Sequence, residues 1–107
     1  MIDIFRYQTA EGQEPVSQWL SEMRDKQAQA KLRIRLKRLE AGNFGDCEPV
    51  GDGVLELREH LGAGYRLYFG RQGKTIVILL CGGSKKSQAA DIKMAKDFWA
   101  DWKRRQA

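Results

Sequence analysis

Cysteine and histidine are scarce in this chain. It has two cysteines, Cys47 and Cys81, and one histidine, His60, among 107 residues. Two cysteines are too few for a disulfide framework, and neither belongs to a zinc-binding spacing pattern. A single histidine excludes a two-histidine acid–base pair, and no cluster of Asp and Glu indicates a two-metal nuclease. The sequence therefore predicts neither a metal site nor a cofactor.

Long apolar runs are also missing. The longest, from Ile76 to Cys81, is far shorter than the ~20 residues that a helix needs to cross a bilayer. The residues after Met1 lack the charged and apolar regions of a signal peptide. We therefore expect a cytoplasmic protein in a reducing compartment, without membrane association.

Positive charge is what the chain has in excess. Nineteen Lys and Arg face fourteen Asp and Glu, which gives a net charge of +5. Such a balance favours polyanionic partners such as nucleic acids, although a few net charges are also normal for solubility. The length predicts a single domain over residues 1–107.

Hydrophobic periodicity and turn residues predict the order β-α-α-β-β-β-α. Helices are expected from Pro15 to a break near Asp25, over 26–41 and over 87–103, and residues 43–52 are expected to form a loop. The predicted strands are 2–7, 54–59, 65–70 and 75–81. This order indicates an α+β fold, with an antiparallel-rich small sheet and helices packed on one face.

Two arginines are predicted to face each other across a hairpin. If Leu57 lies opposite Leu67 in the core, Arg58 falls opposite Arg66 on the other face of the sheet. Like charges in such positions destabilise a sheet unless an anion lies between them, and Glu56 could be that anion. One interpretation is a surface ion-pair cluster, and the other is a pair of guanidinium groups that binds a phosphate.

A glycine-basic corner follows the last strand. Gly82-Gly83 is expected to end the strand and to let a ligand approach the backbone, and Lys85-Lys86 follows it. The next helix would begin here with unpaired N–H groups that suit an anion. A glycine turn with a serine-capped helix explains the same residues.

The second predicted helix carries mostly cations. They could follow a phosphate backbone, or they could simply form a solvated helix face. The candidates for contact with RNA or the ribosome are Lys31, Arg33, Arg35, Lys37 and Arg38.

Three segments, ELREHLGAGYRLYF, ILLCGG and KKSQAADI, resemble the HigB-like branch of the RelE/ParE toxin superfamily. The resemblance implies the toxin of a type II toxin-antitoxin module. It implies a metal-independent endoribonuclease that cuts messenger RNA on the ribosome, by attack of a 2′-OH on the adjacent phosphate.

The resemblance also suggests which residues react. Arg66 lies in the GYR motif and would stabilise transition-state charge, and Glu56 would be the base. The chain departs from the family pattern, since Glu56 and Arg58 stand where lysines are usual. The predicted catalytic residues are Arg66, Arg58, Glu56, Lys85, Lys86, His60 and Tyr68.

The implied partners are a helix-turn-helix antitoxin, the ribosome and messenger RNA, with operator DNA contacted only through the antitoxin. Two other functions remain compatible with the residues. One is a non-enzymatic, ParE-like inhibitor of DNA gyrase, and the other is a protein that binds RNA or the ribosome without cutting.

Overall fold

The structure, a computed structural model, describes residues 1–106. Its strands are β1 (Asp3–Arg6), β2 (Cys47–Gly51), β3 (Val54–Glu59), β4 (Tyr65–Gln72) and β5 (Ile76–Ser84). Its helices are α1 (Pro15–Glu22), α2 (Lys26–Glu40) and α3 (Gln88–Gln106), the last preceded by a single 3₁₀ turn at Lys85–Ser87. The strands form one sheet in the order β1-β5-β4-β3-β2. β1 is parallel to β5, and the other pairs are antiparallel.

The predicted α+β class and antiparallel-rich sheet are confirmed. Residues of β5 alternate between two apolar layers, as the period of a strand requires. Val77 and Leu79 pack in a cluster with α1 and α2, whereas Ile78 and Leu80 pack in a cluster with α3. The expectation of helices gathered on one face holds for α1 and α2, and α3 covers the opposite face.

The predicted loop at 43–52 is wrong, because Cys47–Gly51 forms the edge strand β2. Its sequence, CEPVG, lacks a strand-like pattern because Pro49 cannot donate to a ladder and an edge strand has only one partner. The turn into β3 is tight, and Gly51, Asp52 and Gly53 all have positive φ. Pairing with β3, which local sequence does not reveal, makes this segment a strand.

Gly82-Gly83 does not end a strand, which corrects the prediction of a break there. β5 continues to Ser84, and the two glycines pair with Leu67 and Arg66 of β4. A Cβ at Gly82 would overlap the indole ring of Trp19. Glycine is therefore needed here because a tryptophan packs directly on the backbone, and not because the chain turns.

Among residues 1–106, no helix has the length and apolar character required to span a membrane.

Candidate functional site

The sheet face that α3 covers carries a polar cluster at the end where β3 and β4 meet their loop. The predicted register is confirmed, with Leu57 opposite Leu67 and Arg58 opposite Arg66. Glu56 lies opposite Tyr68 in the same hairpin. The alternation of the two strands thus places two arginines, one carboxylate and one phenol on a single face.

Glu56 is the centre of this cluster and is only 3% exposed. Its Oε2 atom accepts hydrogen bonds from Tyr68 Oη at 2.9 Å and from Gln88 Nε2 at 2.8 Å. Arg66 Nε lies 3.5 Å from Oε2, and Arg58 Nε lies 3.9 Å from Oε1. The prediction that Glu56 supplies an anion between the arginines is confirmed.

Arg66 is 8% exposed, although it carries a full charge. Its Nε is buried and has no hydrogen-bond partner within residues 1–106. Burying a guanidinium without satisfying its donors costs free energy, and the nearby charge of Glu56 offsets part of this cost.

Arg58 is held from β2 and from the loop before it. Its Nη2 lies 2.6 Å from Glu48 Oε1 and 3.5 Å from Asp46 Oδ1. The hydrogen bond with Glu48 raises the pKa of Arg58 above its ordinary value, and Asp46 adds to this. Both carboxylates are exposed, so an incoming phosphate could replace them at modest cost.

His60 lies at the open end of the cluster and its side chain is 71% exposed. Its Nε2 is 2.9 Å from Asp46 Oδ2, and this contact lowers the pKa of Asp46, with a smaller contribution from Arg58. The carboxylate of Asp46 therefore connects the only histidine to Arg58.

Tyr68 is fully buried, and the prediction that it shares a face with Arg66 is confirmed. Burial raises the pKa of Tyr68, and its hydrogen bond to Glu56 raises it further. The phenol therefore keeps its proton and holds the Glu56 carboxylate in position, which makes it a poor proton donor to a substrate.

Lys85 and Lys86 are exposed in the 3₁₀ turn that follows β5. Gly83 pairs with Arg66, and Lys85 N donates to Gly64 O in the hairpin loop. The two lysines thus lie at the same end of the sheet as Arg66. Neither lysine forms an ion pair among the described residues.

The cations of α2 are not part of this cluster, because α2 packs on the opposite face of the sheet. Arg35 points inward, and its Nη1 donates to Arg58 O at 2.6 Å and lies 3.5 Å from Glu59 Oε1. It therefore supports β3 and is not available to RNA. The remaining predicted cations are exposed: Lys31, Arg33, Lys37 and Arg38.

Sequence reasoning missed three residues of the cluster: Asp46, Glu48 and Gln88. Asp46 and Glu48 lay in a segment predicted as loop, and only pairing of β2 with β3 brings them to Arg58. Gln88 stands at the first position of α3, where an amide had no evident partner until the helix was packed on the sheet.

The family model described as "Phage derived protein Gp49-like (DUF891)" matches residues 18–97. A protein of Haemophilus influenzae (strain ATCC 51907 / DSM 11121 / KW20 / Rd), named "Uncharacterized protein", is 53% identical over 78 residues, which cover 73% of this chain and 79% of that protein.

The match to the Gp49-like family model corrects the expected membership of the RelE/ParE superfamily, since the Gp49-like family is a distinct family. The Gp49-like family is itself toxin-like and is consistent with the toxin of a toxin-antitoxin module. The chain belongs to the Gp49-like phage-derived protein family.

Proposed function

We propose that this protein is the toxin of a toxin-antitoxin module and that it cleaves messenger RNA on the translating ribosome. The observation that carries the proposal is the pair of arginines, Arg58 and Arg66, that face each other on one side of the sheet beside the carboxylate of Glu56. Planar guanidinium donors match the oxygens of a phosphodiester, and such donors stabilise charge that develops in the transition state.

Arg58 would act as a second cation that changes partners. In the free protein it contacts the exposed carboxylates of Glu48 and Asp46. A phosphate in the site would compete for the same guanidinium with its own negative charge. Lys85 and Lys86, at the same end of the sheet, would add positive charge around the phosphate.

The proposed reaction forms a bond between the ribose 2′-oxygen and phosphorus while the bond to the 5′-oxygen breaks. The products are a 2′,3′-cyclic phosphate and a free 5′-hydroxyl. The 2′-OH proton would pass to Glu56 Oε1, which lies 3.9 Å from Arg58 Nε in the free protein. Movement of Arg58 towards the phosphate would open this oxygen to the substrate.

His60 is the proposed proton donor to the leaving 5′-oxygen, because its side chain is exposed and its Nε2 is positioned by Asp46 Oδ2 at 2.9 Å. Tyr68 is proposed to hold Glu56, since it donates to Oε2 in a fully buried setting. A carboxylate is a weak base for a ribose hydroxyl, so placement of the RNA by the ribosome would supply much of the acceleration.

The proposed partners follow from this role. Lys31 and Arg38 are exposed cations of α2 that could contact ribosomal RNA on the face away from the cluster. An antitoxin would neutralise the protein, and a helix-turn-helix antitoxin would also bind operator DNA.

The proposal is tested by primer extension on messenger RNA in a purified translation system, with naked RNA beside it. We expect cuts with the wild type on translated message and little cleavage of naked RNA. Arg66→Ala should abolish the cuts, and Arg66→Lys should reduce them strongly, because an ammonium lacks the bidentate fork.

Lys93→Ala is the matched control, since it removes a cation whose only ion pair among residues 1–106 is with the exposed Asp97 on α3. It should cut like the wild type. Thermal unfolding of each variant separates loss of chemistry from loss of fold. Intact message with folded wild type, or full cleavage by folded Arg66→Ala, would overturn the proposal. Ribosome binding without cleavage would instead support a binding function.

A further inference from the structure

A groove lies on the sheet face that carries α2, away from the polar cluster. It encloses about 320 Å³ between β1 and the second half of α2. Its lining combines three apolar side chains with three cations and one acid: Ile4, Leu36, Leu79, Arg6, Arg33, Lys37 and Glu40.

The cations of the groove are free to accept carboxylate partners. Within residues 1–106, none of Arg6, Arg33 and Lys37 forms an ion pair. Arg6 is oriented by a neutral contact, donating from Nη1 to Ser17 Oγ at 2.8 Å. The groove therefore presents an excess of positive charge around an apolar floor.

The backbone of β1 is open along the same groove. β1 is an edge strand that, in the part of the chain that the structure describes, pairs with β5 alone. Asp3 N donates to Thr75 O, just before β5, and Tyr7 N donates to Leu79 O in β5. The backbone N–H and C=O groups of the odd-numbered residues of β1 therefore point towards β5. Ile4 and Arg6 therefore direct their N–H and C=O groups to the open side, and their side chains line the groove.

We propose that this groove binds an extended segment of a partner protein. One face of the segment carries two acidic side chains with an apolar side chain between them. The segment would add to β1 as a sixth strand, with its apolar side chain over Ile4 and its carboxylates near Arg6 and Lys37. Addition to an open edge derives affinity from the backbone and specificity from alternate side chains. The three apolar side chains favour such a peptide over a nucleic-acid backbone, and the proposal does not depend on RNA cleavage.

The test uses isotope-labelled full-length protein and a capped heptapeptide in which glutamate, valine and glutamate alternate with threonine. We expect the amide resonances of Ile4 and Arg6 to shift on titration. The double variant Arg33→Glu, Lys37→Glu should weaken binding by about tenfold or more, because two attractions become repulsions. The double variant Lys93→Glu, Lys103→Glu makes the same total charge change at exposed positions of α3, outside the groove, and should bind like the wild type.

Three modified peptides separate the contributions of charge and of backbone pairing. A lysine-for-glutamate peptide should not bind. N-methylation of the amides on one edge of the peptide should prevent binding, and methylation of the other edge should not, since only one edge can pair with β1.

The inference is overturned if the amide resonances of Ile4 and Arg6 do not shift, or if the lysine peptide binds as tightly as the glutamate peptide. Equal weakening by Lys93→Glu, Lys103→Glu would also overturn it, because the charge effect would then be general. Single-stranded RNA is the competing ligand. If RNA displaces the peptide, and if RNA binding is lost in the Arg33→Glu, Lys37→Glu variant but not in the control variant, the groove is a nucleic-acid site and the inference is wrong.

Discussion

Replacement of Glu56 by glutamine tests whether this carboxylate supports the two arginines. Glutamine keeps the shape of the side chain and a carbonyl oxygen that can accept from Tyr68. It removes the charge 3.5 Å from Arg66 Nε and 3.9 Å from Arg58 Nε, and it leaves Arg66 with 8% exposure and no anion. The buried guanidinium would then lack compensation.

The size of the effect follows from these contacts. Removing one partner of a buried ion pair costs about 3–5 kcal/mol. The loss here should be smaller, because Arg58 keeps Glu48 and Asp46 and the amide retains hydrogen bonds. We expect the free energy of unfolding to fall by about 2–3 kcal/mol, which for a domain of this size lowers Tm by about 10–20 °C.

Urea and thermal unfolding followed by circular dichroism measure this loss. Glu48→Gln is the matched control, since its side chain is 63% exposed and contacts the same arginine. It should cost less than about 1 kcal/mol. Added phosphate should stabilise Glu56→Gln more than it stabilises the wild type, because the anion can replace the missing carboxylate. Equal stability of Glu56→Gln and wild type, or no extra effect of phosphate, would refute the proposed role.

Two further predictions concern the packing and the pH response of the fold. Gly82→Ala should destabilise the protein by about 1–3 kcal/mol, because the new methyl group overlaps Trp19. Trp19→Leu in the same chain should recover part of this loss. Additive losses of the two substitutions in a double-mutant cycle would contradict the prediction. Burial and the hydrogen bond to Asp101 raise the pKa of Tyr7 from 10.0 to about 12. In the unfolded chain the Tyr7 phenol ionises near pH 10, before it does so in the folded protein. The contribution of Tyr7 to the free energy of unfolding is therefore complete below pH 10 and is lost as pH rises towards about 12. Tyr7→Phe should flatten this part of the stability profile, and an unchanged alkaline limb would show that Tyr7 is not responsible.

The hairpin of β3 and β4 was predictable because its pattern is local. Alternation of apolar and polar residues sets which face each side chain occupies, and a slip of one residue would bury Arg58 and Arg66 in the α2 layer. The facing arginines with Glu56 beside them could therefore be predicted from sequence.

The partners of those arginines could not be predicted in the same way. Glu48 lies in an edge strand containing Pro49, and its strand character comes only from pairing with β3. Gly82 was read as a strand end because glycine favours turns, whereas in the fold it makes room for Trp19. In both cases a contact between segments distant in the chain overrides the local preference.

The sequence by itself determined the α+β class, the positions of three helices and four strands, and the face that carries Glu56, Arg58 and Arg66, because periodicity and turn chemistry act over a few residues. Only the tertiary structure decided that α2 and the polar cluster lie on opposite faces, that Arg35 supports β3, and that Arg66 is buried with an unsatisfied Nε. These properties depend on which elements pack together, and packing is set by long-range complementarity that no short segment contains.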